Sequence, residues 1–274
     1  MHFTKMHGAG NDFIIIDNRQ YNFSKAELSD LAARLCPRRT AVGADGFIAV
    51  EESHSEGSHF SMLFFNSDGS LGEMCGNGAR CLARFAYDNG IAPASMRFDT
   101  TAGVVGAERI SKTEYKVALN PPTLIQTFEK TCGEYDCTYI ELGNPGLPHA
   151  VMLMDEDSEI SAEALRELAP KLRSAPEFPK GANVSFAKFI GENRLQAVTF
   201  ERGVEDFTLA CGTGCGATVT ALYTRKLIDE SPVSIDMPGG KLGIELRIEH
   251  GEVKGISLTG PVCKVYEAEF SKEI

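Results

Sequence analysis

Basic charge is what this chain lacks most. Its 27 lysines and arginines face 38 aspartates and glutamates, for a formal net charge of −11 and a pI near 5.1. No Lys/Arg-rich face stands out, so an electrostatic footprint for nucleic acid is excluded. Long apolar runs are missing too, and none approaches the roughly 18 residues of a membrane span. The opening MHFTKMHGAGNDF has no basic segment followed by an apolar one, so no secretory signal is read there. The cytoplasm is the expected location, with neither membrane nor nucleic acid as partner. No CxxC pair occurs among the eight cysteines, Cys36, Cys75, Cys81, Cys132, Cys137, Cys211, Cys215 and Cys263. Reduced thiols are therefore expected rather than a disulfide framework. Cys211 and Cys215 could form half a zinc site, and His54 and His59 a weaker set beside Glu51 and Glu52. Nothing completes either, so no metal is expected. Nor does any glycine-rich word match a P-loop or GxGxxG.

What is present is a repeat. Cys75-Gly76-Asn77-Gly78 and Cys211-Gly212-Thr213-Gly214 lie 136 positions apart in a chain of 274. Each opens an apolar, Ala-rich stretch that reads as a helix. Other matches keep chain order at nearly constant spacing. Leu28, Leu31, Ala32 and Leu35 echo Leu165, Leu168, Ala169 and Leu172; Asp99, Gly103 and Gly106 echo Asp236, Gly240 and Gly243; Val117 to Pro122 echoes Ile256 to Pro261. The series implies a duplicated domain, and two copies argue against a solenoid.

Short apolar runs predict strands over Phe13–Ile16, Phe47–Val50, Met62–Phe65, Val151–Met154, Val184–Ile190 and Gln196–Phe200. Ser24–Leu35 predicts a helix with Ser24 and Glu27 as a capping box, and Ser161–Leu172 its counterpart in the second half. Gly76–Asp88 and Gly212–Lys226 predict helices buried inside their halves. The expected class is α+β: two similar domains, each a curved, mostly antiparallel sheet around a central helix, with the active site in the cleft between them. The expected domains are 1–120, which the tail 262–274 is free to rejoin, and 121–261. Pro121-Pro122 marks the boundary.

The two cysteines carry the chemistry. At a helix N-terminus, unsatisfied N–H groups and the macrodipole favour a thiolate and an anion alike. A carboxylate held there would present its α-carbon to a thiol. One thiolate could take the α-proton while a second thiol protonates the opposite face, with no pyridoxal cofactor. Two structural cysteines on a core helix would be the plainer explanation, but the glycines behind each cysteine are poor helix formers.

The words NDF after HGAG (7–13), FNSDG (65–69), EMCGNGARC (73–81), NVSF (183–186), ERG (201–203) and TLACGTG (208–214), with PGG (238–240) and LTGP (258–261), closely resemble those of the diaminopimelate epimerases. The resemblance runs from Lys5 to Phe270. It implies interconversion of LL- and meso-diaminopimelate, on the way to lysine and peptidoglycan, without cofactor. It makes Cys75 and Cys211 the catalytic acid–base pair, with His149 and Glu201 influencing their protonation. Backbone N–H groups around Gly76, Asn77, Gly212 and Thr213 would hold the reacting carboxylate. Asn11, Asn66, Asn183, Glu201 and Arg202 would hold the ammonium groups and the distal carboxylate. A homodimer is among the assemblies that the resemblance allows.

Two departures bear on the substrate. The family's compact Gly-Asn-Pro-His is here spread over Gly143 to His149, so either Asn144 or Leu147 takes the place of the family's substrate-binding Asn. Gly46 stands where many members have Gln. A racemase for another amino acid, such as histidine, is therefore the alternative, and a non-catalytic amino-acid-binding protein a more distant one.

Overall fold

The computed structural model describes residues 1–72, 74–131, 135–229 and 231–270. The chain divides into two compact units, residues 1–117 with 260–274, and residues 118–259. In chain order the first part runs β1 (His2–Gly8), β2 (Asn11–Asp17), α1 (Lys25–Leu35), β3 (Gly46–Glu51), β4 (Phe60–Asn66), α2 (Gly76–Asp88), β5 (Ser95–Thr100), β6 (Gly103–Arg109) and β7 (Glu114–Leu119). The second part runs β8 (Pro122–Thr131), β9 (Tyr135–Leu142), β10 (Leu147–Leu153), α3 (Ala169–Arg173), β11 (Asn183–Gly191), β12 (Arg194–Glu201), β13 (Asp206–Thr208), α4 (Gly212–Thr224), β14 (Val233–Met237), β15 (Gly240–Glu249) and β16 (Glu252–Pro261). Then β17 (Cys263–Glu269) returns to the first unit and pairs antiparallel with β1. Both units are α+β, each a mostly antiparallel sheet with a helix packed on it.

Alternation along the strands sorts the first unit's side chains. β2 runs parallel to β3, and β3 antiparallel to β4. On one face Ile14, Ile16, Phe47, Ala49 and Phe65 pack with Leu28, Ala32 and Leu35 of α1. Their neighbours Asn11, Phe13, Gly46, Ile48, Phe64 and Asn66 point to the opposite face, where α2 lies. The capping box at α1 forms as expected, with the Glu27 N–H donating to Ser24 Oγ and the Ser24 N–H to the Glu27 carboxylate.

The second unit repeats the plan. Tyr139, Ala150, Met152, Val184, Phe186, Val198 and Phe200 pack with Leu165, Ala169, Leu172 and Phe178 on one face. His149, Asn183, Ser185, Thr199 and Glu201 take the other face, under α4. One helix expected over Ser161–Leu172 is shorter than predicted. Turns occupy the segment up to Leu168, and only Ala169–Arg173 is helical. Pro170 has no N–H to give, which breaks a helix running through it but is tolerated in a first turn, so the helix starts beside it.

The third residue of each buried helix is a glycine, and the sheet comes close beneath it in both units. A Cβ on Gly78 would stand 3.1 Å from Ile48 Cδ1 and 3.4 Å from the Phe13 ring. On Gly214 it would stand 2.9 Å from Ser185 Oγ and 3.0 Å from Thr199 Oγ1. Gly78→Val is expected to destabilise the protein by about 1–3 kcal/mol, as overpacked cores do. Gly106→Ala, at a position with open space around it, should stay within about 0.5 kcal/mol of wild type. Denaturant titration of both variants checks this, and equal stabilities would refute the close-approach argument.

Candidate active site

Cys75 and Cys211 occupy the same place in their units: each is the N-cap of its helix. Both have extended backbone, φ −121° and −114° respectively. Each sulfur accepts the N–H of the third helical residue, Gly78 to Cys75 Sγ at 3.5 Å and Gly214 to Cys211 Sγ at 3.3 Å. Serine and aspartate usually fill this role. A sulfur held there sits at the positive end of the helix dipole, where the N–H groups of the first turn have no intrahelical carbonyl to bind.

In the first unit the Asn11 amide is oriented by its neighbours. Its nitrogen donates to Asp45 Oδ2 at 2.7 Å, which turns its oxygen toward the Cys75 thiol at 3.4 Å and Asn77 Nδ2 at 3.3 Å. Arg38 bridges Asp12 and Asp45 at 2.6 and 2.8 Å. Burial alone would raise the Asp12 carboxyl, but hydrogen bonds and charge from Arg38 and Lys5 outweigh it and hold the group down at about 2. Beneath the first turn, the fully buried Arg80 donates to Asn77 Oδ1 at 2.8 Å and to the Gly76 carbonyl at 3.3 Å. The Gly76 carbonyl and the Asn77 side chain are thereby held. Asn66 is exposed, closes the turn 66–70, and donates its amide to Ser70 Oγ at 2.9 Å.

In the second unit Glu201 accepts the Thr208 hydroxyl at 2.5 Å. Asn183 Oδ1 accepts the Arg202 N–H at 2.8 Å, and the Arg202 guanidinium donates to the Lys180 carbonyl at 2.8 Å. Burial pushes the Cys211 thiol well above its ordinary range, and the nearby charge of Glu201 pushes it further. Hydrogen bonds from Thr213 and the Gly214 N–H pull the other way and lose. This corrects the expectation of a lowered pKa at both helix ends: at Cys211 desolvation exceeds the helix effect, so the resting group is a thiol.

His149 is fully buried, and neither ring nitrogen has a partner among the described residues. Burial, helped by the charge of Arg202, lowers it to about 3, so it is neutral at physiological pH. It lies beside Asn183 in the strand register. Leu147, two residues earlier on β10, takes the same face by alternation, whereas Asn144 sits exposed in the turn before it. On the strand, then, it is Leu147 that takes the position two before the histidine.

Sequence reasoning missed Ser185, Thr199 and Thr208 under Cys211, and Phe13 and Phe64 beside α2. Period-two stepping from Asn183 or Asn66 reaches Ser185 and Phe64. Thr199 and Thr208 needed strand pairing. Glu73 of the first cysteine word and Cys132 lie outside the described residues. Among the described residues no His/Cys/Asp/Glu group is arranged for a metal ion, and no helix is long and apolar enough to cross a membrane.

The fold recurs in solved structures of distant sequence. It superposes on a PhzF-family phenazine biosynthesis protein of Bacillus anthracis with a TM-score of 0.75 at 15% identity, covering 99% of both chains. A hydroxyproline epimerase of Agrobacterium vitis gives 0.68 at 14%, covering 98% of this chain and 91% of that one. At such identities these likenesses establish the fold alone. The chain itself belongs to the diaminopimelate epimerase family, whose model matches residues 3–125 and 142–265. It is 37% identical to the diaminopimelate epimerase of Aquifex aeolicus, over 100% of this chain and 99% of the relative. It is 40% identical to that of Hydrogenobaculum sp., over the full length of both. The chain is accordingly an isomerase.

The buried neutral His149 predicts an acid-sensitive fold. Its folded pKa of about 3 lies below its unfolded value of about 6.5. Between these pH values the unfolded chain binds the extra proton, so stability present above about 6.5 is lost as pH falls. His149→Gln should flatten the stability–pH slope there by up to ~1.4 kcal/mol per pH unit. Parallel wild-type and variant slopes from pH 6 to 4 would contradict the assignment.

Proposed function

We propose that the chain epimerises diaminopimelate between its LL and meso forms, with Cys75 and Cys211 as the base and acid. The observation that carries this is the matched pair of thiols, each capping a helix through the N–H of its third residue. One sulfur, as thiolate, takes the α-proton and becomes a thiol. The electron pair left on carbon spreads into the adjacent carboxylate. Backbone N–H groups at Gly76, Asn77, Gly212 and Thr213 are suited to hold that carboxylate and stabilise the charge that develops on it. The other sulfur gives its proton to the opposite face of the carbon and is left as thiolate. No atom of a cofactor enters this balance. Cys211, kept protonated by burial and Glu201, suits the donor at rest. His149, neutral, is suited to offer a ring nitrogen as a hydrogen-bonding group rather than to act as a charged acid.

Asn11, Asn66, Asn183 and Glu201 are suited to the ammonium groups. Arg202, half-buried and with a planar fork, suits the distal carboxylate. The partner is thus a small amino acid, and the net charge of −11 argues against nucleic acid. We place the chain in the cytoplasm, where its seven described cysteines persist as thiols, and take a homodimer as the assembly, on the family resemblance. Leu147 on the His149 face favours a second reading, racemisation of another amino acid such as histidine, because it offers no amide to the distal end.

Proton NMR in deuterated water decides between them, with reduced protein, no pyridoxal phosphate, and LL-diaminopimelate beside a panel including histidine. Deuterium entering the α-position of diaminopimelate, with meso product forming, is the expected result. Exchange confined to another amino acid would move the substrate, and no exchange in any of them would overturn the enzymatic reading.

A further inference from the structure

One aromatic ring beside the first helix has no part in the chemistry above. Phe64 lies on β4, two residues before Asn66 and on the same face. Its ring is clamped between two glycines. A Cβ on Gly46 would meet Phe64 Cε2 at 2.5 Å, and one on Gly72 would meet Cδ1 at 2.3 Å and Cε1 at 2.5 Å. The ring also stands edge-to-face on Phe13 at 6.1 Å. The Phe13 ring in turn reaches Gly78, whose N–H binds the Cys75 sulfur. Phe64 is therefore one ring removed from the first turn of the catalytic helix, and it stays half-buried in a unit whose other phenylalanines on this sheet are buried.

Burial economy does not explain this arrangement. Two positions have given up their side chains to seat a ring that remains partly open to solvent. At Gly46 the ring fills the space where any side chain would otherwise reach over the sheet, so no hydrogen-bonding group is available there. The surface offered beside Asn11, Asn66 and the Cys75 helix is an apolar wall. Diaminopimelate has two charged ends joined by three methylenes. The ends match the amides and helix termini already described, and the methylenes match the ring.

We propose that Phe64 is a specificity-determining residue, the wall against which the methylene connector of the substrate packs and which sets the chain length admitted. This rests on the reading of the chain as a diaminopimelate epimerase. Gly72 makes the test clean. Its backbone lies outside the left-handed region, and the three atoms nearest its built Cβ all belong to the Phe64 ring. An alanine there pushes first on that ring.

The experiment measures KM and kcat for diaminopimelate in wild type, Gly72→Ala, Phe64→Ala and the double variant. Gly72→Ala should raise KM about tenfold with kcat within about twofold, because binding is lost equally in ground and transition states. In the Phe64→Ala background the same change should move KM less than about twofold. Phe64→Ala should also reduce the preference for diaminopimelate over its homologue with one more methylene, 2,7-diaminosuberate, by about tenfold or more. If Gly72→Ala lowers the melting temperature but leaves KM unmoved, or if Phe64→Ala keeps the preference, the wall is overturned while the epimerase reading stands. Should Gly72→Ala fail to fold, the preference of Phe64→Ala decides alone. A wild type that epimerises no diaminopimelate overturns the epimerase reading and the wall with it.

Discussion

The approach of each helix's first turn to its sheet is the constraint on which the rest depends. A thiol caps a helix only when the N–H of the third residue can reach its sulfur, and that residue must also clear the strands beneath. Glycine at 78 and 214 meets both demands. The cost of glycine inside a helix, roughly 0.5–1 kcal/mol relative to alanine, is offset by packing that keeps both helices buried along most of their length. Once the first turn is pinned, the cysteine side chain, the first-turn N–H groups and the glycine-opened backbone share one fixed geometry. Arg80 strengthens this in the first unit by tying the Gly76 carbonyl and the Asn77 side chain from below.

The two units share this frame but differ in what lies under it. Beneath Gly78 the sheet offers Phe13 and Ile48, and beyond them Phe64. Beneath Gly214 it offers Ser185 and Thr199, hydrogen-bonded to each other at 3.0 Å, with Glu201 and Thr208 alongside. The first floor is apolar and suits the hydrocarbon part of an amino acid. The second is polar, and there burial, reinforced by the Glu201 carboxylate, raises the Cys211 thiol. Duplication supplied two thiols in one frame, and divergence of the floor makes their surroundings unequal. That inequality is chemically useful, since a proton-transfer pair needs one member charged and the other neutral at the start of each turnover.

The α+β class and the pair of similar domains could be read from the chain because the repeat is written twice, with Cys-Gly-x-Gly opening a buried helix each time. The capping box at Ser24 and Glu27 was legible for a similar reason: its atoms are three residues apart. The helix expected over 161–172 failed because apolar spacing was allowed to outweigh Pro170, whose missing N–H acts whatever the pattern around it. Thr199 and Thr208 stayed hidden because their relevance comes from strand pairing, and Phe64 because the glycines that seat its ring meet it only in the folded unit. The protonation of Cys211 could not be foreseen either. A helix N-terminus is visible in a sequence, but the burial that overrides it is a property of the packed molecule.

The central claim is that both N-cap sulfurs move protons in one reaction. It is tested most directly by following LL-diaminopimelate by NMR in deuterated water with wild type, Cys75→Ser and Cys211→Ser, each shown folded by circular dichroism. The account predicts deuterated meso product from wild type and a loss of at least about a hundredfold in its formation from each single variant, because each removes one partner of an acid–base pair. Meso product forming at the wild-type rate from either variant would contradict it.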